Sequence, residues 1–199
     1  MSNLSKSRQP AGTLNEPAAV NGGLRNYYIL RAAVSLAWVA AAFTVGRTST
    51  SAAAALLIVY PAWDALANLG DAVRNGGLRR NPSQAINIAV SVLATIAVTA
   101  AIGGANAVLG VFGAWAILSG LLQLATGVRR WKSVGAQWAM ILSGAQSALA
   151  GAFFIVQAGG GNASGPADVA PYAAFGAFYF LVSAIWMTVR QRPRASVAA

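Results

Sequence analysis

Residues 111–157 read VFGAWAILSGLLQLATGVRRWKSVGAQWAMILSGAQSALAGAFFIVQ. Two apolar runs flank a short turn that holds Arg129, Arg130, Trp131 and Lys132. Each run is long enough to reach the roughly 20 residues that a helix needs to cross about 30 Å of hydrocarbon. Neither alternates strictly between polar and apolar residues, as a barrel strand would. Backbone groups in lipid must be satisfied within the chain, so these runs predict helices.

Four similar runs lie outside this pair. The six predicted spans are 27–46, 52–70, 84–102, 105–127, 136–158 and 168–189. The fold class expected is therefore all-α, a polytopic bundle of six transmembrane helices. The whole chain agrees: 57% of its 199 residues are hydrophobic and only 9% are charged. A soluble domain carries about 25% charged residues, which it needs to cover its surface. Residues 1–25 are polar and hold Pro10, Pro17 and the Gly22–Gly23 pair, so they read as a disordered cytoplasmic tail. Residues 26–190 form the membrane domain and 191–199 a basic cytoplasmic tail.

The net charge of +10 belongs to topology. With the N-terminus inside, the cytoplasmic segments collect Lys6, Arg8, Arg25, Arg74, Arg79, Arg80, Arg129, Arg130, Lys132, Arg190, Arg192 and Arg194, whereas the outer loops hold Arg47 alone. This bias places both termini in the cytoplasm. The basic residues form no stripe that could follow a phosphate backbone, so nucleic acid is not an expected partner. Tyr27, Tyr28, Trp131, Trp138 and Trp186 fall near the predicted cytoplasmic boundary and Tyr172 near the outer one, as interfacial aromatics do.

There is no His and no Cys. Histidine bases, thiol nucleophiles and ordinary zinc sites are thereby excluded. The chain has neither a GxxxxGK[ST] loop nor a GxSxG or HExxH motif. No catalytic residue, cofactor or metal is expected, and an enzyme is the least supported class.

An internal repeat runs through the opening stretch. Ile117-Leu118-Ser119-Gly120 with Gly127 returns as Ile141-Leu142-Ser143-Gly144 with Gly151. Small residues seven apart stay on one helix face and let backbones approach closely in lipid. Gly120, Gly127, Gly144 and Gly151 are therefore predicted helix-packing positions, with a face lining a substrate path as the other reading. With its basic, Trp-bearing turn, this pair of helices resembles the HdeD-like family of bacterial inner-membrane proteins, built from a short hydrophobic repeat. The resemblance implies a six-helix protein of the inner membrane with a part in acid resistance or stress response. It carries over no catalytic residue. The long N-terminal tail and the polar second span depart from the family pattern.

That second span holds Tyr60, Asp64, Asn68 and Asp71, at spacings that put them on one helix face. Asp64 lies about 10 Å inside the span at 1.5 Å per residue, where a bare carboxylate costs on the order of 2.5–3.5 kcal/mol. Arg31 reaches a similar depth from the first span, which a short connection makes the expected neighbour. An intramembrane Arg31–Asp64 pair is predicted, with Tyr60 and Ser35 as hydrogen-bond neighbours. Arg31 snorkelling to the headgroups is the alternative, and Asp64 is either a static partner or a proton-titrating group. Pro61 predicts a kink that frees the carbonyl of Leu57. Asn87, Gln123 and Gln146 would complete a polar pocket open to the cytoplasm if the helices converge.

Three functions follow as expectations. The first is a non-enzymatic inner-membrane protein of acid or envelope stress tolerance. The others are a channel or transporter for a small solute or protons, and an assembly subunit. The expected partners are the lipid bilayer and, through the glycine seams, a second copy or other membrane proteins.

Overall fold

The computed structural model describes residues 16–129, 131, 137–160 and 165–190. These residues form seven α-helices and one turn of 3-10 helix, with no strand among them. The helices are α1 (Glu16–Phe43), α2 (Val45–Thr48), α3 (Thr50–Arg74), α4 (Pro82–Ala101), α5 (Ala105–Arg129), α6 (Gln137–Ala158) and α7 (Pro166–Arg190). Six helical segments are long and apolar enough to cross a membrane, the first of them running from Gly22 in α1 through α2 to Thr48. The protein is a multi-pass membrane protein.

The helix ends follow local chemistry. The Ser49 side chain accepts from the Ala52 amide at 3.2 Å and so caps α3. Pro82 opens α4, where its missing N–H is no loss. Gly103, at φ 102°, turns the chain out of α4 in a conformation that other residues rarely adopt. At Thr44 the chain steps from α1 into α2, and its hydroxyl donates to the Ala40 carbonyl at 2.8 Å.

One boundary corrects the sequence expectation. α1 begins at Glu16, so residues 16–25, read as part of a disordered tail, are helical. The physical signal is Glu16-Pro17, an acid and a proline in the first two positions, both favoured at a helix start. The remainder of that tail, residues 1–15, and the basic tail 191–199 lie outside the described residues.

The helices run up and down, so Arg25, Arg74, Arg79, Arg80 and Arg129 lie toward one end of the bundle, here the basic end, and Arg47 toward the other. α5 packs most tightly on α6, α1 on α7, and α3 on α4, with α4 joining α5. The contact of α1 with α3 is slight, and so is that of α6 with α7. The expectation that the first two spans are close neighbours is thus met only lightly, because α1 lies mainly along α7. Tyr28 and Phe180 stack across that interface with ring centroids 6.1 Å apart.

The α5–α6 seam is closed by glycine. A Cβ on Gly120 would stand 2.7 Å from the Gly144 carbonyl oxygen, and one on Gly144 would stand 2.7 Å from that of Gly120. Gly113 faces Gly151 in the same way, and Gly127 lies against Ile141. Real Cβ atoms do not approach so closely, so these backbones touch because side chains are absent. Gly113 stands outside the repeated motif, and the sequence reading missed it.

The bundle is not uniform along its axis. Its half toward Arg47 is packed with large side chains, among them Val98, Leu109, Phe112, Trp115 and Phe154, each at most 5% exposed. A cavity opens toward the basic end instead, and part of its lining, Phe153, Phe154, Asp168 and Pro171, reaches past the middle of the bundle.

Candidate functional site

The cavity has a volume of about 980 Å³ and is lined by side chains from α1, α3, α4, α5, α6 and α7. All four residues of the polar α3 face, Tyr60, Asp64, Asn68 and Asp71, line it. Asn87, Gln123 and Gln146, which would complete a pocket if the helices converged, line it as well.

At its centre Arg31 of α1 forms an ion pair with Asp64 of α3. Arg31 does not reach out to the headgroups. Its Nη1 donates to the Tyr27 hydroxyl at 2.9 Å, and its guanidinium lies over the Phe180 ring, 4.5 Å from the centroid. Desolvated cation–π contacts of this kind contribute about 2 kcal/mol or more. Tyr27 is therefore a partner of Arg31 rather than a free interfacial aromatic.

Asp64 is 8% exposed and accepts from four side chains. Besides Arg31 these are Asn68 Nδ2 at 3.1 Å, Asn87 Nδ2 at 3.1 Å and Ser91 Oγ at 2.8 Å. Oδ1 takes Arg31, and Oδ2 takes Asn68, Asn87 and Ser91. Ser91 in turn accepts from the Trp115 indole at 3.0 Å, which ties the pair to the packed half. Tyr60 and Ser35, the neighbours expected for the pair, instead lie against each other. The Tyr60 ring sits between Trp38 and Trp115, at 4.6 and 5.8 Å between centroids.

These rings form a floor. Trp38, Tyr60, Trp115 and Tyr172 pack edge to face or tilted, and Tyr172 also meets Phe154 at 6.1 Å. Tyr172 was expected at the outer interface. It lies inside the bundle, its hydroxyl 2.9 Å from Ser147 Oγ. Each tyrosine of the floor adjoins a proline within a helix, Tyr60 before Pro61 in α3 and Tyr172 after Pro171 in α7. α3 remains helical through Pro61, and the Trp38 indole donates to the Leu56 carbonyl at 2.8 Å. That acceptor is one residue before the carbonyl expected to be freed.

Toward the basic end the α3–α4 wall stays polar. Asp71 accepts from Asn75 Nδ2 at 2.9 Å and from Gln84 Nε2 of α4 at 3.1 Å. Asn81 closes the connecting turn by donating to the carbonyls of Asn75 and Gly77, both at 2.9 Å. Several buried polar atoms of lining residues have no partner: Gln84 Oε1, Asn87 Oδ1, Ser119 Oγ, Arg31 Nε and Trp63 Nε1. Buried groups of this kind are ordinarily bonded to protein or water, so the cavity suits a hydrated or polar occupant. Among the described residues, no group of three or more acidic side chains could hold a metal ion.

Ser91 and Gln84 were not singled out from the sequence, and Tyr27 was read as an interfacial aromatic rather than as a partner of Arg31. Ser91 had a signal, since it is a small polar residue in the apolar middle of α4. Gln84 and Tyr27 lie near span ends, where polar and aromatic residues are ordinary.

With this geometry in place, comparison with known proteins adds one match. Residues 86–156, covering most of α4, all of α5 and most of α6, match a family described as a short repeat of unknown function (DUF308). No curated protein and no solved structure matches the chain.

Proposed function

We propose that the chain is a non-enzymatic protein of a bacterial inner membrane, with both termini in the cytoplasm, whose working part is the polar cavity. In this reading a small hydrophilic solute enters from the basic, cytoplasmic end and stops at the aromatic floor. The observation that carries it is a cavity of about 980 Å³ within a lipid-spanning bundle, where carboxylate, amide and hydroxyl groups are set among aromatic and aliphatic side chains. Polar groups are expensive at that depth and mark solute or ion paths when they face a hollow. The four donors around Asp64 support its role as an anchor between α1, α3 and α4.

Acid or envelope stress tolerance is the physiological setting that the HdeD-like resemblance favours; the match over residues 86–156 supports the resemblance, and its family carries no known function. An assembly role through glycine seams has less support, because the α5–α6 seam is already occupied within the chain.

The test is survival in strong acid of cells lacking the protein, complemented by wild type or by Ser143→Phe, which puts a ring into the cavity wall. The expected result is that deletion sensitises the cells and that Ser143→Phe fails to restore them at equal membrane abundance. Rescue by Ser143→Phe would remove the cavity from the function. An unchanged deletion strain would remove the stress setting.

A further inference from the structure

We infer that the α3–α4 wall of the cavity binds a small organic cation carrying N–H donors, a primary ammonium compound. The inference rests on the reading of the cavity as a solute site and names the class of solute.

The first observation is a sorting of charge. The chain carries 14 basic and four acidic residues. Among the described residues lining the cavity the order is reversed, with three carboxylates, Asp64, Asp71 and Asp168, and one basic group, Arg31. Arg31 and Asp64 neutralise each other. Asp71 is left at this wall, whereas Asp168 stands at the Arg47 end of the bundle, at the start of α7, where it accepts from the Gly165 amide at 2.7 Å and takes no part in the site. No basic side chain among the described lining residues balances Asp71, and Arg129 at the rim is held by Ser83 at 2.8 Å. A hollow bounded by low-dielectric walls focuses such a field and raises the local concentration of cations.

The second observation is the direction of the amides. Asn87 gives its Nδ2 to Asp64, and Gln84 gives its Nε2 to Asp71. Each carboxylate requires a donor, so each amide must turn its oxygen the other way. Both of those oxygens, Asn87 Oδ1 and Gln84 Oε1, are buried without a partner. They stand three residues apart on α4, hence on one face. With the remaining acceptor capacity of Asp71 they form a wall of acceptors, and a buried acceptor left unmatched is costly. A primary ammonium group brings three N–H donors and one positive charge, which answers both observations.

The experiment measures binding of 1,4-diaminobutane and of its uncharged analogue 1,4-butanediol to the full-length protein in detergent. The readout is fluorescence of Trp63 and Trp115, which line the cavity, with calorimetry as a check. The diamine is expected to bind at least about ten-fold more tightly than the diol, a preference worth one decade of affinity. Asp71→Asn, which keeps the shape and removes the charge, is expected to abolish that preference. Gln84→Met, which deletes one free acceptor, should reduce it by several-fold and guards against a misfolded Asp71 variant. Equal binding of diamine and diol would overturn the cation assignment while leaving the cavity a solute site. Binding of neither would overturn both. A preference that survives in a folded Asp71→Asn would overturn its placement at this wall.

Discussion

The two halves of this bundle are built from the same six helices and solve opposite problems. Toward Arg47, Phe112, Leu109 and Val98 are at most 1% exposed and fill the space between helices. Toward the basic end the same helices diverge around a cavity of about 980 Å³ whose walls carry Asp, Asn, Gln and Ser. Both halves face lipid, which supplies little hydrophobic drive for helix association. The difference teaches that packing in one half holds the helices so that the other can stay hollow. The Asp64 network marks the border, joined to the hollow half through Asn68 and Asn87 and to the packed half through Ser91 and Trp115.

The sharpest way to break this contrast is at the α5–α6 seam. Gly144→Leu would drive a branched side chain into the Gly120 carbonyl and the Leu124 backbone, both nearer than a Cβ can stand. Overpacking commonly costs about 1–3 kcal/mol where side chains can yield; here backbone must move, so little folded protein should be recovered in detergent. Phe112→Ala, in the packed half, should lower stability by about 3–5 kcal/mol, read as a fall in thermal midpoint. Asp64→Leu alone leaves Arg31 buried and unpaired, a loss of roughly 3–5 kcal/mol. The double variant Arg31→Met with Asp64→Leu should recover a large part of it, and a double-mutant cycle measures the coupling. Smallest of all is Gln123→Ala in the cavity wall, expected within about 0.5 kcal/mol of wild type. A large loss there would mean that the hollow half is packed after all.

The sequence carried the contrast unevenly. The six spans were legible because hydrocarbon thickness fixes helix length, and they match the observed helices to within a few residues at each end, except that α1 begins at Glu16, well before the predicted start at 27. The glycine seam was legible because small residues seven apart have few other uses in lipid. Arg31 and Asp64 could be paired on depth alone, since each is a charge that must find a partner. What escaped depends on helix order and rotation, which no local pattern encodes. A short connection between the first two spans suggested close packing, yet α1 lies along α7, where Phe180 can cover Arg31. Tyr172 was assigned to the interface by its position near a span end. Its inward turn toward Ser147 and the other rings is a tertiary choice. The same holds for the free amide oxygens of Gln84 and Asn87, whose direction follows from carboxylates on another helix.

The most direct measurement exploits the absence of cysteine in the chain. Single cysteines at Gln123, in the cavity, and at Val98, in the packed half, would be exposed in inside-out membrane vesicles to a charged, membrane-impermeant thiol reagent. Labelling at position 123 and protection at position 98 is the result that a water-filled, cytoplasm-facing cavity beside a packed core requires. Protection at both positions would contradict it and leave a bundle that is dry from end to end.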